Sequence, residues 1–138
     1  MEIIHTRPPN FDEILAVFPK AISKDIVFAY NGKIYVPSKK PLSPALIEHE
    51  KTHLIRQGKT KEDADRWWYN YLNDISFRYY EELLAHAAEY KAMTTCASRQ
   101  HRRSALKETS KKLSAPLYNN MVSQKTAALQ IKDVLRRV

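Results

Sequence analysis

Two histidines separated by three residues give this sequence its clearest chemical signal. His49 and His53 lie in residues 46–53, LIEHEKTH, which contain the spacing H-E-x-x-H. On a helix, residues four apart share one face and are about 6 Å apart along the axis, so both imidazoles can reach one metal ion. Glu50 lies about 100° away around the helix, where its carboxylate can hold a metal-bound water. The spacing predicts the zinc site of a metallohydrolase.

A catalytic zinc site needs a third protein ligand, because zinc takes three side chains and leaves its fourth position to water. The candidates lie on a second predicted helix and are Glu81, Glu82, His86 and Glu89. Glu81 shares a face with apolar residues, whereas Glu82 shares a polar face with His86 and Glu89. Glu82 is therefore the favoured third ligand, and Glu81 is its main alternative.

A short helix and a β-hairpin are predicted ahead of the metal-binding helix. Apolar residues recur at helical spacing from Phe11 to Phe18, with Asn10 available as N-cap. Asn31-Gly32 separates two runs rich in β-forming residues, Asp25 to Tyr30 and Lys33 to Val36. This dipeptide predicts a type I′ turn, because that turn needs positive φ at both central positions.

Four further helices are predicted after the helix that carries H-E-x-x-H. That helix begins at Pro44, is capped by Ser43 and ends at Gly58. The next helix is opened by the capping box Thr60-Lys61-Glu62-Asp63. A long helix follows from about Ile75 to Thr94, with a core stripe of Phe77, Tyr80, Leu84 and Ala88. The last two helices run from Arg99 to Lys112 and, after a loop at Ser114 to Asn120, from about Val122. A hairpin followed by helices predicts an α+β fold.

Length and composition predict one domain that spans residues 1–138. The chain has 138 residues and is 43% hydrophobic, which suits one compact core. Its only cysteine, Cys96, excludes a Cys-rich zinc site and agrees with a reducing compartment. No apolar run is long enough for a signal peptide or a membrane span. We therefore expect a soluble, cytoplasmic protein with no membrane partner.

The net charge of +8 allows a second class of function. Arg99 to Lys112 contains six Lys or Arg residues and one acidic residue. Such a helix is typical of a solvated surface, but it could also contact phosphates. The alternative prediction is therefore a basic nucleic-acid-associated protein in which the zinc site is ancillary or structural.

The chain resembles the short gluzincin-type zinc metallopeptidases, many of which are encoded by phages and prophages. The matching residues are His49-Glu50-x-x-His53, Gln57, Tyr71-Leu72-x-Asp74-x-x-Phe77-Arg78-x-x-x-Glu82-x-x-Ala85 and Pro116-Leu117-Tyr118-x-Asn120-Met121. The resemblance implies a minimal zincin-like fold and a Zn²⁺ ion held by His49, His53 and Glu82. For a phage-encoded protein it also implies the host cytoplasm.

The resemblance further implies a peptidase mechanism. Glu50 would take a proton from the attacking water and return it to the leaving amine. His86 would stabilise charge on the tetrahedral oxygen, with Tyr79 and Arg78 as other candidates; as a fourth ligand, His86 would instead make the site structural. A peptide substrate would add to Lys33 to Val36 as a free edge strand. An inactive zinc-binding scaffold is the third possibility.

Overall fold

A computed structural model describes residues 1–22, 25–115 and 122–137. The described residues form a mixed α+β fold that is mostly helical. In chain order the elements are β1 (Glu2–Ile4), α1 (Phe11–Val17), a 3₁₀ turn (Pro19–Ile22), β2 (Phe28–Tyr30), β3 (Lys33–Tyr35), α2 (Pro44–Gln57), α3 (Lys61–Asn73), α4 (Ile75–Thr94), α5 (Arg99–Leu113) and α6 (Gln124–Arg136). The predicted α+β class is confirmed.

The predicted hairpin is confirmed. Strands β2 and β3 are antiparallel, with Tyr30 opposite Lys33. Asn31 has φ 48° and Gly32 has φ 78°, so both residues adopt the positive φ values that a type I′ turn requires.

Lys33 to Val36 was predicted to be a free edge strand, and this prediction is wrong because β3 lies between β1 and β2. Strand β1 was not predicted from the sequence. β1 pairs in parallel with β3, and the sheet order is β1-β3-β2. Strand β3 is therefore central, and neighbouring strands flank it on both sides. A run of three residues so near the start of the chain has too little periodicity to show that it is a strand.

The outer edge of β2 is also occupied where it faces the helices. The carbonyl oxygen of Ala29 accepts hydrogen bonds from Gln57 Nε2 at 2.7 Å and from Trp68 Nε1 at 2.9 Å. A substrate strand that paired at Ala29 would have to displace both side chains. Addition of a peptide to this part of the sheet is therefore disfavoured.

Side-chain caps set the starts of the three helices that surround the candidate site. Ser43 Oγ accepts from Leu46 N, Thr60 Oγ1 from Asp63 N, and Asp74 Oδ1 from Phe77 N. These bonds confirm the predicted starts of α2 and α3 and the break before α4. Asn10 differs from its prediction: it precedes α1, but its side chain makes no capping hydrogen bond.

The core stripe predicted for α4 is only partly confirmed, because Phe77 packs against the first core described below but the other three residues are not buried. Tyr80 is 52% exposed, and Leu84 and Ala88 are only half-buried. The apolar residues that α4 contributes to the second core described below are instead Tyr79, Leu83 and Ala87. Helix α4 is packed on several sides, so its apolar pattern does not identify a single buried face.

Two hydrophobic cores lie on either side of the candidate site. The first joins α1, β2, β3 and α3 and contains Trp67, Trp68 and Tyr71. The second joins α4, α5 and α6 and contains Leu83, Leu113 and Ile131. Helix α2 packs against α4, α3 and β2, and so it lies where the two groups of elements meet.

The C-terminal predictions are only partly within the described residues. Helix α5 ends at Leu113, one residue after its predicted end, and α6 begins at Gln124, close to its predicted start. Residues 116–121, which include most of the predicted loop and the last block of the family resemblance, lie outside the described residues. No helix among the described residues is long and apolar enough to cross a lipid bilayer.

Candidate metal centre

Helix α2 directs its two histidines into the protein. His49, Glu50 and His53 are each at most 6% exposed. The imidazole rings of His49 and His53 have centroids 4.9 Å apart and meet edge to face. The cap at Ser43 and the exit at Gly58 set the ends of α2, and the four-residue spacing puts both rings on its inner face.

Glu82 on α4 meets both histidines. Its Oε1 lies 3.1 Å from His53 Nε2, and its Oε2 lies 3.5 Å from His49 Nε2. Tyr71 on α3 donates its hydroxyl proton to Glu82 Oε1 at 3.1 Å. Three helices thus contribute to the position of one carboxylate.

The described residues contain two buried groups that could hold a metal ion. One is His49, His53 and Glu82, and the other is His49, His86 and Glu89. Each group supplies nitrogen and carboxylate oxygen atoms that lie within 4.8 Å of one another. His49 belongs to both groups, so the surroundings of each of its two ring nitrogens distinguish one group from the other.

The two nitrogens of His49 face different carboxylates. Nε2 faces Glu82, whereas Nδ1 lies 2.9 Å from Glu89 Oε1. An ionised carboxylate can only accept, so Nδ1 carries the proton of this hydrogen bond. A carboxylate on the far nitrogen is the usual means of orienting a metal-binding histidine, and it leaves Nε2 for the metal.

Lys112 on α5 adds a positive charge on the Glu89 side of His49. Its Nζ lies 3.6 Å from Glu89 Oε2, and the lysine side chain is half exposed. His86 Nδ1 lies 3.3 Å from Glu89 Oε1 but does not form a hydrogen bond with it. The nearby ammonium group opposes a second cation among His49, His86 and Glu89, so the group with Glu82 is the better metal site.

Ionised carboxylates make the centre favourable for a cation. Burial by itself lowers the pKa of His49, but the neighbouring carboxylates of Glu82 and Glu89 outweigh burial and raise the pKa to about 10. Burial by itself raises the pKa of Glu82, yet His53 and His49 hold it well below its usual value. Burial also opposes ionisation of Glu89, but the neighbouring imidazoles of His49 and His86 lower its pKa.

For Glu50 and His86, in contrast to these charged groups, burial is not outweighed by neighbouring charges and sets the direction of the pKa shift. Burial raises the pKa of Glu50 and so favours its protonated form. Burial lowers the pKa of His86 and so favours the neutral imidazole. Two groups therefore lie beside the residues that could bind an ion. Glu50 is a carboxylate that can gain a proton, and His86 is a neutral imidazole.

The donor set fits a divalent metal. Glu82 Oε2 is buried and makes no hydrogen bond, although His49 Nε2 is nearby. A cation between them would satisfy this oxygen and would balance the charge of the carboxylate. Two imidazoles and one carboxylate are a set that zinc binds in catalytic sites.

A cavity of about 250 Å³ adjoins these residues. Glu50, His86 and the residues of the first metal group line one side of it. The remaining lining residues are mainly apolar and come from α1, the 3₁₀ turn, residues 26–29 and α3; among them are Ile14, Phe18, Ala21, Ile26, Val27, Phe28, Trp67 and Trp68. The site therefore has an apolar recess beside a cluster of titratable groups.

Glu81, the alternative third ligand, faces away from the metal groups. It is 1% exposed and accepts hydrogen bonds from Trp67 Nε1 at 2.6 Å and from Arg56 Nη2 at 2.8 Å. Its carboxylate is fully engaged in holding α2 and α3 against α4. The helical-face criterion therefore selected the correct one of the two neighbouring glutamates for the cluster.

Two other predicted donors point elsewhere. Tyr79 donates its hydroxyl proton to Gln130 on α6, and Arg78 Nε donates to the carbonyl oxygen of Tyr71 at 2.9 Å. Neither residue lines the cavity beside Glu50. Tyr71, which the family resemblance includes without a role, contacts Glu82, and no local pattern indicates that contact.

Comparisons with protein-family models, with curated proteins and with solved structures return no match. The resemblance to gluzincin-type peptidases therefore stays a prediction that rests on individual residues. The geometry of His49, His53 and Glu82 is independent of that resemblance.

Proposed function

We propose that this protein is a zinc-dependent metallopeptidase with a minimal zincin-like fold of the gluzincin type. The observation that carries the proposal is the meeting of three side chains from two helices. His49 and His53 on α2 lie within 3.5 Å of Glu82 on α4, while Glu50 lines the adjoining cavity. This combination is what metal-assisted hydrolysis of a carbonyl substrate requires.

His49, His53 and Glu82 would hold the metal. A bound zinc ion supplies a Lewis acid that polarises the substrate carbonyl and makes water a nucleophile near neutral pH. Glu89 keeps the proton of His49 on Nδ1, and Tyr71 restrains the carboxylate of Glu82. These contacts fix the ligands before the ion binds and so reduce the entropic cost of binding.

Glu50 moves the proton. Its carboxylate takes a proton from the attacking water as the new carbon–oxygen bond forms, and it then delivers that proton to the leaving nitrogen as the carbon–nitrogen bond breaks. Burial raises the pKa of Glu50, so the protonated form is accessible between the two steps. Glu50 is not a member of either metal-binding group, and its carboxylate stays available for this role.

His86 is suited to hold the oxygen that becomes negative during attack. It lines the same cavity and is only 5% exposed. Because burial keeps its imidazole neutral, one ring nitrogen carries a proton that can be donated to the developing oxyanion. In this role His86 touches the substrate and not the metal.

Substrate is held through the apolar side of the cavity. The free strand edge that zincins offer is absent from β3 and is blocked at Ala29 of β2. Phe18, Ile26 and Phe28 line the recess next to Glu50 and favour an apolar side chain beside the scissile bond. We therefore expect selectivity for peptides with apolar residues at the cleavage site.

The proposal is tested by comparing Glu50→Gln with Glu48→Gln, which changes an exposed carboxylate on the same helix. Each zinc-loaded protein is incubated with a mixed peptide library, and cleavage is followed by mass spectrometry. The parent and Glu48→Gln should hydrolyse the library, and Glu50→Gln should lose at least about 100-fold in rate while it keeps its zinc. Equal rates for all three proteins, or no hydrolysis by the parent, would refute the proposal.

A further inference from the structure

The positive charge of this protein is concentrated at one end of the chain. Ten of the 23 Lys and Arg residues lie after Ser98, but only two of the 15 Asp and Glu residues do. Residues 1–98 contain equal numbers of both kinds, so the net charge of +8 comes entirely from the C-terminal part. All ten of these basic residues are exposed on or directly after α5 and α6.

Most of these charges have no carboxylate partner in the part of the chain that the structure describes. Lys112 contacts Glu89, and Arg137 contacts Asp133. The other eight form no ion pair with a carboxylate among residues 1–22, 25–115 and 122–137. By contrast, exposed cations in the first part of the chain, such as Lys61 and Arg66, pair with neighbouring acids.

Helix α5 carries its charges in an arrangement that is unfavourable without an external anion. Arg99, Arg103, Lys107 and Lys111 follow one another at intervals of four residues, so each step places like charges about 6 Å apart along one face. Like charges at this spacing destabilise a helix. A bound polyanion would reverse that effect.

A shallow groove extends this row of charges onto α6. Arg103, Lys107 and Ser110 line one wall, and Gln124, Lys125 and Ala128 line the other. Gln124 Nε2 donates to the carbonyl oxygen of Lys107 at 3.2 Å and ties the two helices together at this point. The basic face, which consists of Arg99, Arg103, Lys107 and Lys111 of α5 with Lys125 of α6, therefore involves two helices that are bonded to each other.

The chemistry of the basic face selects among polyanions. Residues 99–115 and 122–137 contain no Phe, Tyr or Trp. A surface that binds single-stranded nucleic acid stacks bases on aromatic rings, and an interfacial membrane helix inserts large apolar residues. On α5 the large apolar residues Leu106 and Leu113 are not exposed, so its cationic face has neither feature and fits the regularly spaced phosphates of a duplex.

We infer that the outer face of α5, with Lys125 of α6, binds duplex DNA through its phosphate backbone and without sequence preference. This surface is distinct from the metal centre and adds a binding function to the proposed hydrolase. Lys112, at the end of α5, contacts Glu89 and is kept unchanged in the test below.

The test measures binding of a fluorescent 20-base-pair duplex by anisotropy over a range of salt concentrations. The double variant Arg103→Gln/Lys107→Gln is compared with Lys59→Gln/Lys91→Gln, which removes the same charge at exposed positions outside α5 and α6. For the parent and the control, log K should fall linearly with log salt concentration. In the Arg103→Gln/Lys107→Gln variant the slope should become shallower by about two, since each lost phosphate contact removes about one.

Three results would overturn the inference. The first is salt-independent binding by the parent, and the second is equal weakening by both double variants, which would mean that only overall charge matters. The third is tighter binding of the corresponding single strand or of poly-L-glutamate than of the duplex. Circular dichroism of both variants confirms that α5 remains helical, and glutamine suits a helix interior.

Discussion

Glu81 and Glu82 are adjacent in sequence and both buried, but their carboxylates have different partners. Glu82 meets two histidines, whereas Glu81 binds Arg56 and Trp67. Helical periodicity separates the two, since neighbouring residues point about 100° apart. The contact of Glu89 with His49 was not predictable, because it joins α4 to α2 across 40 positions of the chain.

Replacing Glu89 by glutamine should weaken metal binding without abolishing it. The amide can still accept from His49 Nδ1, but it lacks the negative charge that makes His49 a stronger ligand. Zinc affinity, measured by competition with a chelator, should fall about 10- to 100-fold. Glu108→Gln, an exposed change on α5, is the control. Unchanged affinity in Glu89→Gln would show that Glu89 does not orient His49.

Replacing Glu81 by glutamine should lower stability and leave metal content unchanged. The variant weakens the bonds to Arg56 and Trp67 in a buried site, and a hydrogen bond to a charged group contributes about 1.5–3 kcal/mol. Urea denaturation measures this loss, and elemental analysis should still find one zinc per chain. Loss of zinc in Glu81→Gln, with zinc retained in Glu82→Gln, would exchange the roles of the two residues.

At the scale of elements, predictions based on local signals succeeded except for the cap at Asn10, and those that depend on long-range contacts failed. Caps at Ser43 and Thr60 and the turn at Asn31-Gly32 are encoded by a few adjacent residues, and each was predicted. The central position of β3 depends on β1, some thirty residues earlier. The buried faces of α4 depend on which helices pack against it, and no pattern within α4 shows that.

Gly58 ends α2 in a backbone conformation that favours glycine, close to the start of α3. Its φ is +104°, and an added Cβ would lie 2.8 Å from Asp63 Oδ2. Gly58→Ala should therefore lower the free energy of unfolding by about 1–3 kcal/mol, measured in urea. Gly32→Asn is the control, because nothing surrounds that position within 4 Å and asparagine tolerates positive φ. Equal stability of parent and Gly58→Ala would contradict this account of the α2–α3 connection.

At the scale of the whole molecule, the candidate metal centre lies where two halves meet. Helix α2 borders the first core, α4 belongs to the second, and the residues that could hold an ion come from both helices. The α+β class and the members of the group His49, His53 and Glu82 could be predicted from the sequence, because both follow from local patterns. The position of the basic residues on two adjoining helices, α5 and α6, could not be predicted, because it depends on how those helices pack.

Removing the metal should destabilise the whole protein. An ion bound only by the folded state stabilises it by about 2.7 kcal/mol when its free concentration is 100 times Kd. Thermal unfolding with added zinc and with a chelator should therefore show a higher Tm for the zinc-loaded protein. The difference should vanish in Glu82→Gln, which lacks one ligand. A parent Tm that does not respond to zinc would contradict the idea that the ion links α2 to α4.

The central claim is that one ion binds between His49 Nε2, His53 Nε2 and the carboxylate of Glu82. Anomalous diffraction at the zinc edge from crystals of the zinc-loaded protein tests it directly. We predict one peak about 2.0–2.2 Å from each of these three groups, with no fourth protein ligand. A peak beside His49 Nδ1, His86 and Glu89, or a peak that His86 also coordinates, would contradict the claim.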